Sequence, residues 1–126
     1  MNILIVDDDP GYREMLHAHL SRHHELSLLT NGRNALAVLT DDDHGFDVIL
    51  LDLHMPRMSG SKLIEVLNEW NHLKSRFIIM SGMPKIDHVV GLPNVFAVLR
   101  KPFELPTLDA LISQAAALPV LQSRYA

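Results

Sequence analysis

Four short groups of residues carry side chains able to hold a divalent cation and to offer a hydroxyl and an ammonium beside it: Asp7-Asp8-Asp9, Asp52, Ser81-Gly82 and Lys101-Pro102. Each lies just past an apolar run, namely Ile3-Leu4-Ile5-Val6, Val48-Ile49-Leu50-Leu51, Phe77-Ile78-Ile79-Met80 and Val95-Phe96-Ala97-Val98-Leu99. Short continuous apolar runs separated by helical stretches read as buried parallel strands, and parallel strands present their ligand-binding residues at their carboxyl ends. Four strands then deliver carboxylates, a hydroxyl and an ammonium to one edge of a sheet. Carboxylates at ~5 Å repel by about 3 kcal/mol at an effective dielectric of about 20, so a crowded set needs a cation between its members. An acidic Mg²⁺ pocket with one lysine and one serine is the implied site.

The elements that must position these groups fit one domain. At 126 residues the chain buries enough surface for a self-sufficient core. The formal charge of −4 gives no basic field, so nucleic acid is not expected as a direct partner. Cysteine is absent, which removes disulfides, thiolate catalysis and cysteine-type zinc sites and agrees with a reducing, cytoplasmic location. The start, Met1-Asn2-Ile3-Leu4-Ile5-Val6, lacks the basic and long apolar regions of a signal peptide, and no apolar stretch approaches the ~20 residues of a membrane span.

Strand, polar turn and amphipathic helix repeat five times, the signature of an α/β protein with a parallel sheet and right-handed crossovers. Strand one is expected over Asn2 to Val6, followed by a helix with Asp9 as N-cap and Pro10 at its first position, burying Met15, Leu16 and Leu20. Strand two, Glu25 to Thr30, alternates like an edge strand, and Asn31-Gly32 turns into a helix carrying Ala35, Leu36 and Leu39. Asp41-Asp42-Asp43-His44-Gly45 reads as a solvated loop that ends it. Strand three runs from Val48 to Leu51. After it Ser59-Gly60 opens a helix with Leu63, Ile64, Leu67 and Trp70 at helical spacing. Strand four is Phe77 to Met80, followed by a short helix from Pro84 to about Val90 that is expected to be the least stable element. Strand five is Val95 to Leu99, and Leu108, Leu111, Ile112 and Ala115 line the last helix, which stops before Pro119. Residues 1–118 are read as the domain and 119–126 as a tail or linker start. His19 and His23 have the four-residue spacing of a zinc pair, but without a third ligand they read as a solvated polar face.

Taken in order and at strand ends, Asp7-Asp8, Asp52 within Leu51-Asp52-Leu53-His54-Met55-Pro56, Ser81 and Lys101-Pro102 resemble the receiver domain of two-component response regulators. The resemblance covers residues 1 to 118. It implies a flavodoxin-like doubly wound sheet of strand order 2-1-3-4-5 with five helices, whose chain reversal sets Asp7, Asp8 and Asp52 beside one crevice. It further implies that Asp52 is a nucleophile accepting a phosphoryl group from a phosphohistidine on a sensor histidine kinase or phosphotransfer protein. Asp8, Asp52 and the carbonyl of His54 would ligate Mg²⁺ and Asp7 would act through water, while Lys101 and Ser81 would bind phosphoryl oxygens. The Lys101-Pro102 bond is expected to be cis.

By the same resemblance the protein is a signalling switch and not a turnover enzyme, either a stand-alone regulator or a receiver excised from a larger protein with a fused output domain. The surface of the helix after strand four, strand five and the last helix is expected to serve dimerisation or a downstream partner, and the first helix to dock the kinase. One position departs from the pattern: the residue three before the lysine, usually Tyr or Phe, is Val98. Phe96 and Val98 are expected on one strand face, since side chains alternate, which bears on an aromatic relay. The alternative is a phosphorylation-independent receiver-like interaction module. A phosphatase using an aspartyl-phosphate fits less well, because such enzymes need an aspartate two residues after the nucleophile, where His54 stands.

Overall fold

The computed structural model describes residues 1–41, 43–55, 57–69, 76–82, 92 and 94–117. The elements are β1 (Asn2–Val6), α1 (Pro10–Leu20), β2 (Glu25–Leu29), α2 (Gly32–Leu39), β3 (Val48–Asp52), α3 (Gly60–Glu69), β4 (Arg76–Ser81), β5 (Val95–Arg100) and α4 (Leu105–Ala117). The five strands form one sheet in the order β2-β1-β3-β4-β5, with every neighbouring pair parallel. This is the doubly wound, flavodoxin-like arrangement that the resemblance implies. The expected helix over 84–90, Trp70 and the tail over 119–126 lie outside the described residues.

The sheet separates two apolar layers because successive side chains on each central strand point to opposite faces. On one face Leu4, Val6, Ile49, Leu51, Phe77 and Ile79 pack with Ala35 and Leu39 of α2 and with Leu63, Ile64 and Leu67 of α3. On the other, Ile3, Ile5, Val48, Leu50, Ile78 and Met80 meet Leu16 and Leu20 of α1 and Leu108, Ile112 and Ala115 of α4. The residues expected to line the helices are thus the ones buried, with Met15, Leu36 and Leu111 half-buried at the margins. β2 is an edge strand that ends at Leu29, one residue short of the expected Thr30. Its Leu28 remains 40% exposed.

Local signals account for the helix starts. The Asp9 carboxylate accepts from the Gly11 and Tyr12 amides at 2.8 and 3.4 Å, and Pro10 costs no hydrogen bond where the amide would have no partner in the helix. Asn31 caps α2 by accepting from the Asn34 amide at 2.8 Å. His19 Nε2 lies 2.8 Å from Asp109 Oδ2, so that histidine joins α1 to α4.

β5 departs from the expected alternation. Phe77 pairs with Val95 but Ile78 pairs with Ala97, so Phe96 is an extra residue in the ladder. A bulge of this kind turns every later residue of the strand to the opposite face. Val98 therefore packs with the α2 and α3 layer, whereas Phe96 packs with the α1 and α4 layer. The expectation that these two share a face is corrected by the structure, and Phe96 is not an aromatic placed to stand in for Val98.

Candidate functional site

The crevice forms where the chain order reverses between β1 and β3. Asp7 follows β1, Asp52 is the last residue of β3, Ser81 is the last of β4 and Lys101 follows β5. Pairing of parallel strands in register levels these ends, so groups distant in sequence reach one edge. One carboxylate oxygen from each of Asp7, Asp8 and Asp52 lies within 4.8 Å of the others. Asp7 and Asp52 are buried and Asp8 is exposed. Three hard oxygen donors this close, one of them open to solvent, suit a hydrated divalent cation such as Mg²⁺.

Lys101 closes the group. Its Nζ lies 2.8 Å from Asp7 Oδ2 and 3.6 Å from Asp52 Oδ2. The Lys101-Pro102 peptide bond is cis, as expected. The Lys101 amide donates to the Ser81 carbonyl at 2.8 Å, tying the ends of β4 and β5 together. Ser81 is fully buried at this edge and Gly82 is exposed. His54 is exposed and its amide donates to Asp52 Oδ1 at 3.2 Å, a main-chain grip that orients the carboxylate.

Burial and crowding reshape the acid–base properties of the site. Burial pushes the Asp52 carboxyl up to about 6, opposed by the His54 amide and Lys101 and helped by the Asp7 charge. Burial also works against the Lys101 ammonium, but the Asp7 hydrogen bond and the charges of Asp52 and Asp7 outweigh it and hold its pKa above the usual lysine value. The lysine is therefore a permanent cation at neutral pH, while Asp52 is ionised but within reach of a proton.

Several contributors carry no obvious signal in the sequence. The Asp9 amide donates to Asp7 Oδ1 at 2.9 Å, and Arg13 Nη1 donates to the Asp7 carbonyl at 2.9 Å. Gly60 is a further one: a Cβ built on it would lie 2.2 Å from the Asp52 carbonyl oxygen and 2.8 Å from Leu53 Cα. The first turn of α3 thus rests directly on the backbone that carries Asp52. Gly60→Ala is expected to lose about 2–3 kcal/mol of stability in urea unfolding, since overpacking against rigid backbone cannot relax through a rotamer. A loss under about 0.5 kcal/mol, the scale of a neutral surface change, would refute the contact.

Fold and site together define a doubly wound α/β protein with an acidic, lysine-bearing pocket at its topological switch point. The family model of the response regulator receiver domain matches residues 3–113, and the chain belongs to that family. It is 31% identical over 119 residues to the regulatory protein AtoC of Escherichia coli (strain K12), covering 92% of this chain and 25% of that protein. It is also 31% identical over 118 residues to the transcriptional regulatory protein MalR of Bacillus subtilis (strain 168), covering 90% of this chain and 49% of that protein. The chain thus spans a quarter to a half of the length of these two relatives. Among solved structures, the signal receiver domain of an HD domain-containing protein from Pseudomonas fluorescens Pf-5 superimposes with a TM-score of 0.80 at 22% identity, covering 91% of this chain and 93% of that one. The non-phosphorylated HemR receiver domain from Leptospira biflexa gives 0.80 at 21% identity over 96% and 98% of the two chains. Both likenesses support the fold. No helix among the described residues is long and apolar enough to cross a membrane.

Proposed function

We propose that this receiver domain, taken as residues 1–118, is a phosphorelay switch in which Asp52 accepts a phosphoryl group. One observation carries the reading: the oxygens of Asp7, Asp8 and Asp52 converge within 4.8 Å with the Lys101 ammonium 3.6 Å from Asp52. At neutral pH a carboxyl with a pKa of about 6 is mostly ionised and therefore nucleophilic. A carboxylate oxygen of Asp52 bonds to phosphorus as the P–N bond of a phosphohistidine donor breaks. The imidazole nitrogen keeps the electron pair, and with its other ring nitrogen protonated the donor leaves as neutral imidazole. The His54 amide fixes the orientation of the attacking carboxylate, and Lys101 shifts part of its charge from Asp7 to a phosphoryl oxygen. Ser81 and the Gly82 amide supply further donors, so the end of β4 follows the phosphoryl group and carries the change outward.

The donor set fits Mg²⁺, which Asp8, Asp52 and the His54 carbonyl would hold, with Asp7 acting through water. When bound, the ion supplies neutralisation of the negative charge that gathers on the phosphoryl oxygens. The domain accepts the group and slowly loses it without a separate substrate to turn over. Its donor is a sensor histidine kinase or phosphotransfer protein. Its output is a downstream protein or fused domain reached through the β5 and α4 surface, with dimerisation as one use of that surface and the cytoplasm as the place of action.

The test is incubation with Mg²⁺ and beryllofluoride, or with a small-molecule phosphodonor, read by mass spectrometry and ¹⁹F NMR. A one-to-one adduct that needs Mg²⁺ and is lost in Asp52→Asn is the expected result. No adduct on the wild-type chain would favour the phosphorylation-independent interaction module instead.

A further inference from the structure

Tyr12 has no part in the phosphoacceptor chemistry above, yet its ring touches the ammonium of the pocket. Lys101 Nζ stands 4.1 Å from the Tyr12 ring centroid while bonding Asp7 at 2.8 Å. The same ring packs on Phe103, centroid to centroid 5.8 Å, with the planes tilted by 41°. Two side chains of the β5–α4 connection therefore contact one ring from the first turn of α1. That turn is itself pinned, because the Tyr12 amide donates to the Asp9 cap and the adjacent Arg13 donates to the Asp7 carbonyl.

Resting on the phosphoacceptor reading, we propose that Tyr12 is a positioning residue for Lys101, holding the ammonium in the pocket by a cation–π contact. Lysine carries a flexible four-carbon stem, and a hydrogen bond to Asp7 secures its tip through a group that competes with an arriving phosphoryl oxygen. The ring face is a neutral partner that does not compete. It attracts the ammonium before transfer and after it, so the amine can turn from Asp7 toward the phosphoryl oxygen without leaving the site. Partial desolvation strengthens the attraction, and the Lys101 side chain is only 14% exposed. Phe103, two residues beyond Lys101, packs on the same ring.

The experiment compares wild type, Tyr12→Phe and Tyr12→Leu as 126-residue chains. Bound ¹⁹F resonances are followed while beryllofluoride is titrated in Mg²⁺. The ε-methylene protons of Lys101 are followed by NMR without ligand. Tyr12→Leu is expected to bind beryllofluoride about fivefold more weakly, the scale of a partly desolvated cation–π contact, and Tyr12→Phe to restore the affinity. The Lys101 ε-protons are expected to be shifted upfield by the ring current in wild type and Tyr12→Phe, and to return to ordinary lysine positions in Tyr12→Leu. Wild-type affinity in Tyr12→Leu, failure of phenylalanine to rescue, or an unshifted Lys101 signal in the wild type would each overturn the assignment. The wild-type signal needs no variant to fold. A wild-type chain that forms no adduct but shows the upfield signal would instead refute the phosphoacceptor role and leave the contact standing.

Discussion

In divalent-free buffer at pH 7, Lys101→Met is expected to unfold with a deficit of about 3 kcal/mol, the cost of removing one partner from a buried ion pair. The Asp7 side chain is fully buried, and the ammonium 2.8 Å away is its counter-charge. Methionine fills the space but leaves Asp7 and Asp52 facing each other, with Asp8 close by. The raised pKa of Lys101 means that its contribution is complete at every pH below the ordinary lysine value and fades only in strong alkali. The deficit is therefore full above neutral pH and narrows as pH falls, because Asp52 takes up a proton more readily once the lysine that holds its pKa down is gone. Mg²⁺ is expected to recover most of it, because a cation that binds the folded state alone adds RT ln(1 + [L]/Kd) to stability. Urea unfolding with and without Mg²⁺ measures both effects. A deficit that Mg²⁺ leaves untouched would mean that the lysine does not share its carboxylates with a metal site.

Asp52→Asn is expected to move stability the other way. Asparagine keeps the acceptor oxygen that the His54 amide uses at 3.2 Å and removes a charge that burial disfavours. The folded-state pKa of Asp52 is raised from 3.8 to about 6, so between those values the folded chain binds more protons than the unfolded one. Stability then falls as pH rises through that window and stays lower above it. At 1.36 kcal/mol per unit the full penalty is ~2–3 kcal/mol. The variant and the wild type should coincide near pH 4 and separate by that amount above pH 6 in metal-free buffer, with the variant the more stable. Mg²⁺ should close the gap by stabilising the wild type. Unfolding curves that run parallel from pH 4 to 7 would show that the carboxylate is solvated and unstrained.

The parts of this arrangement that obey local or periodic rules were legible in the residues. Asp9-Pro10 announces a capped helix because the carboxylate and the missing amide suit its first turn. The apolar runs of β1, β3 and β4 are read correctly because strands buried on both faces need no alternation. The gathering of Asp7, Asp8, Asp52, Ser81 and Lys101 at one edge was legible because each lies at or just past a strand end, where parallel pairing must collect it. What could not be read depends on the path of loops. Nothing in Tyr12 or Lys101 announces that the first turn of α1 meets the β5–α4 connection. The same holds for His19 and Asp109, whose contact arises from how two helices share one face of the sheet. Gly60 read as a helix opening, but its need for a bare Cα arises from where α3 crosses the end of β3. The Phe96 bulge was missed for a different reason: alternation assumes a regular ladder, and one inserted residue inverts the inference for everything beyond it.

That inserted residue also bears on how the molecule avoids its own kind. β5 is a margin of the sheet, and a margin with free amides and carbonyls invites a strand from another copy to add on. A template must be regular to be copied, and the step at Phe96 breaks the repeat at the second residue of a six-residue strand, which discourages stacking of copies edge to edge. Any association through this side then has to be made by side chains, whose identity can be tuned, and not by an indiscriminate main-chain zipper.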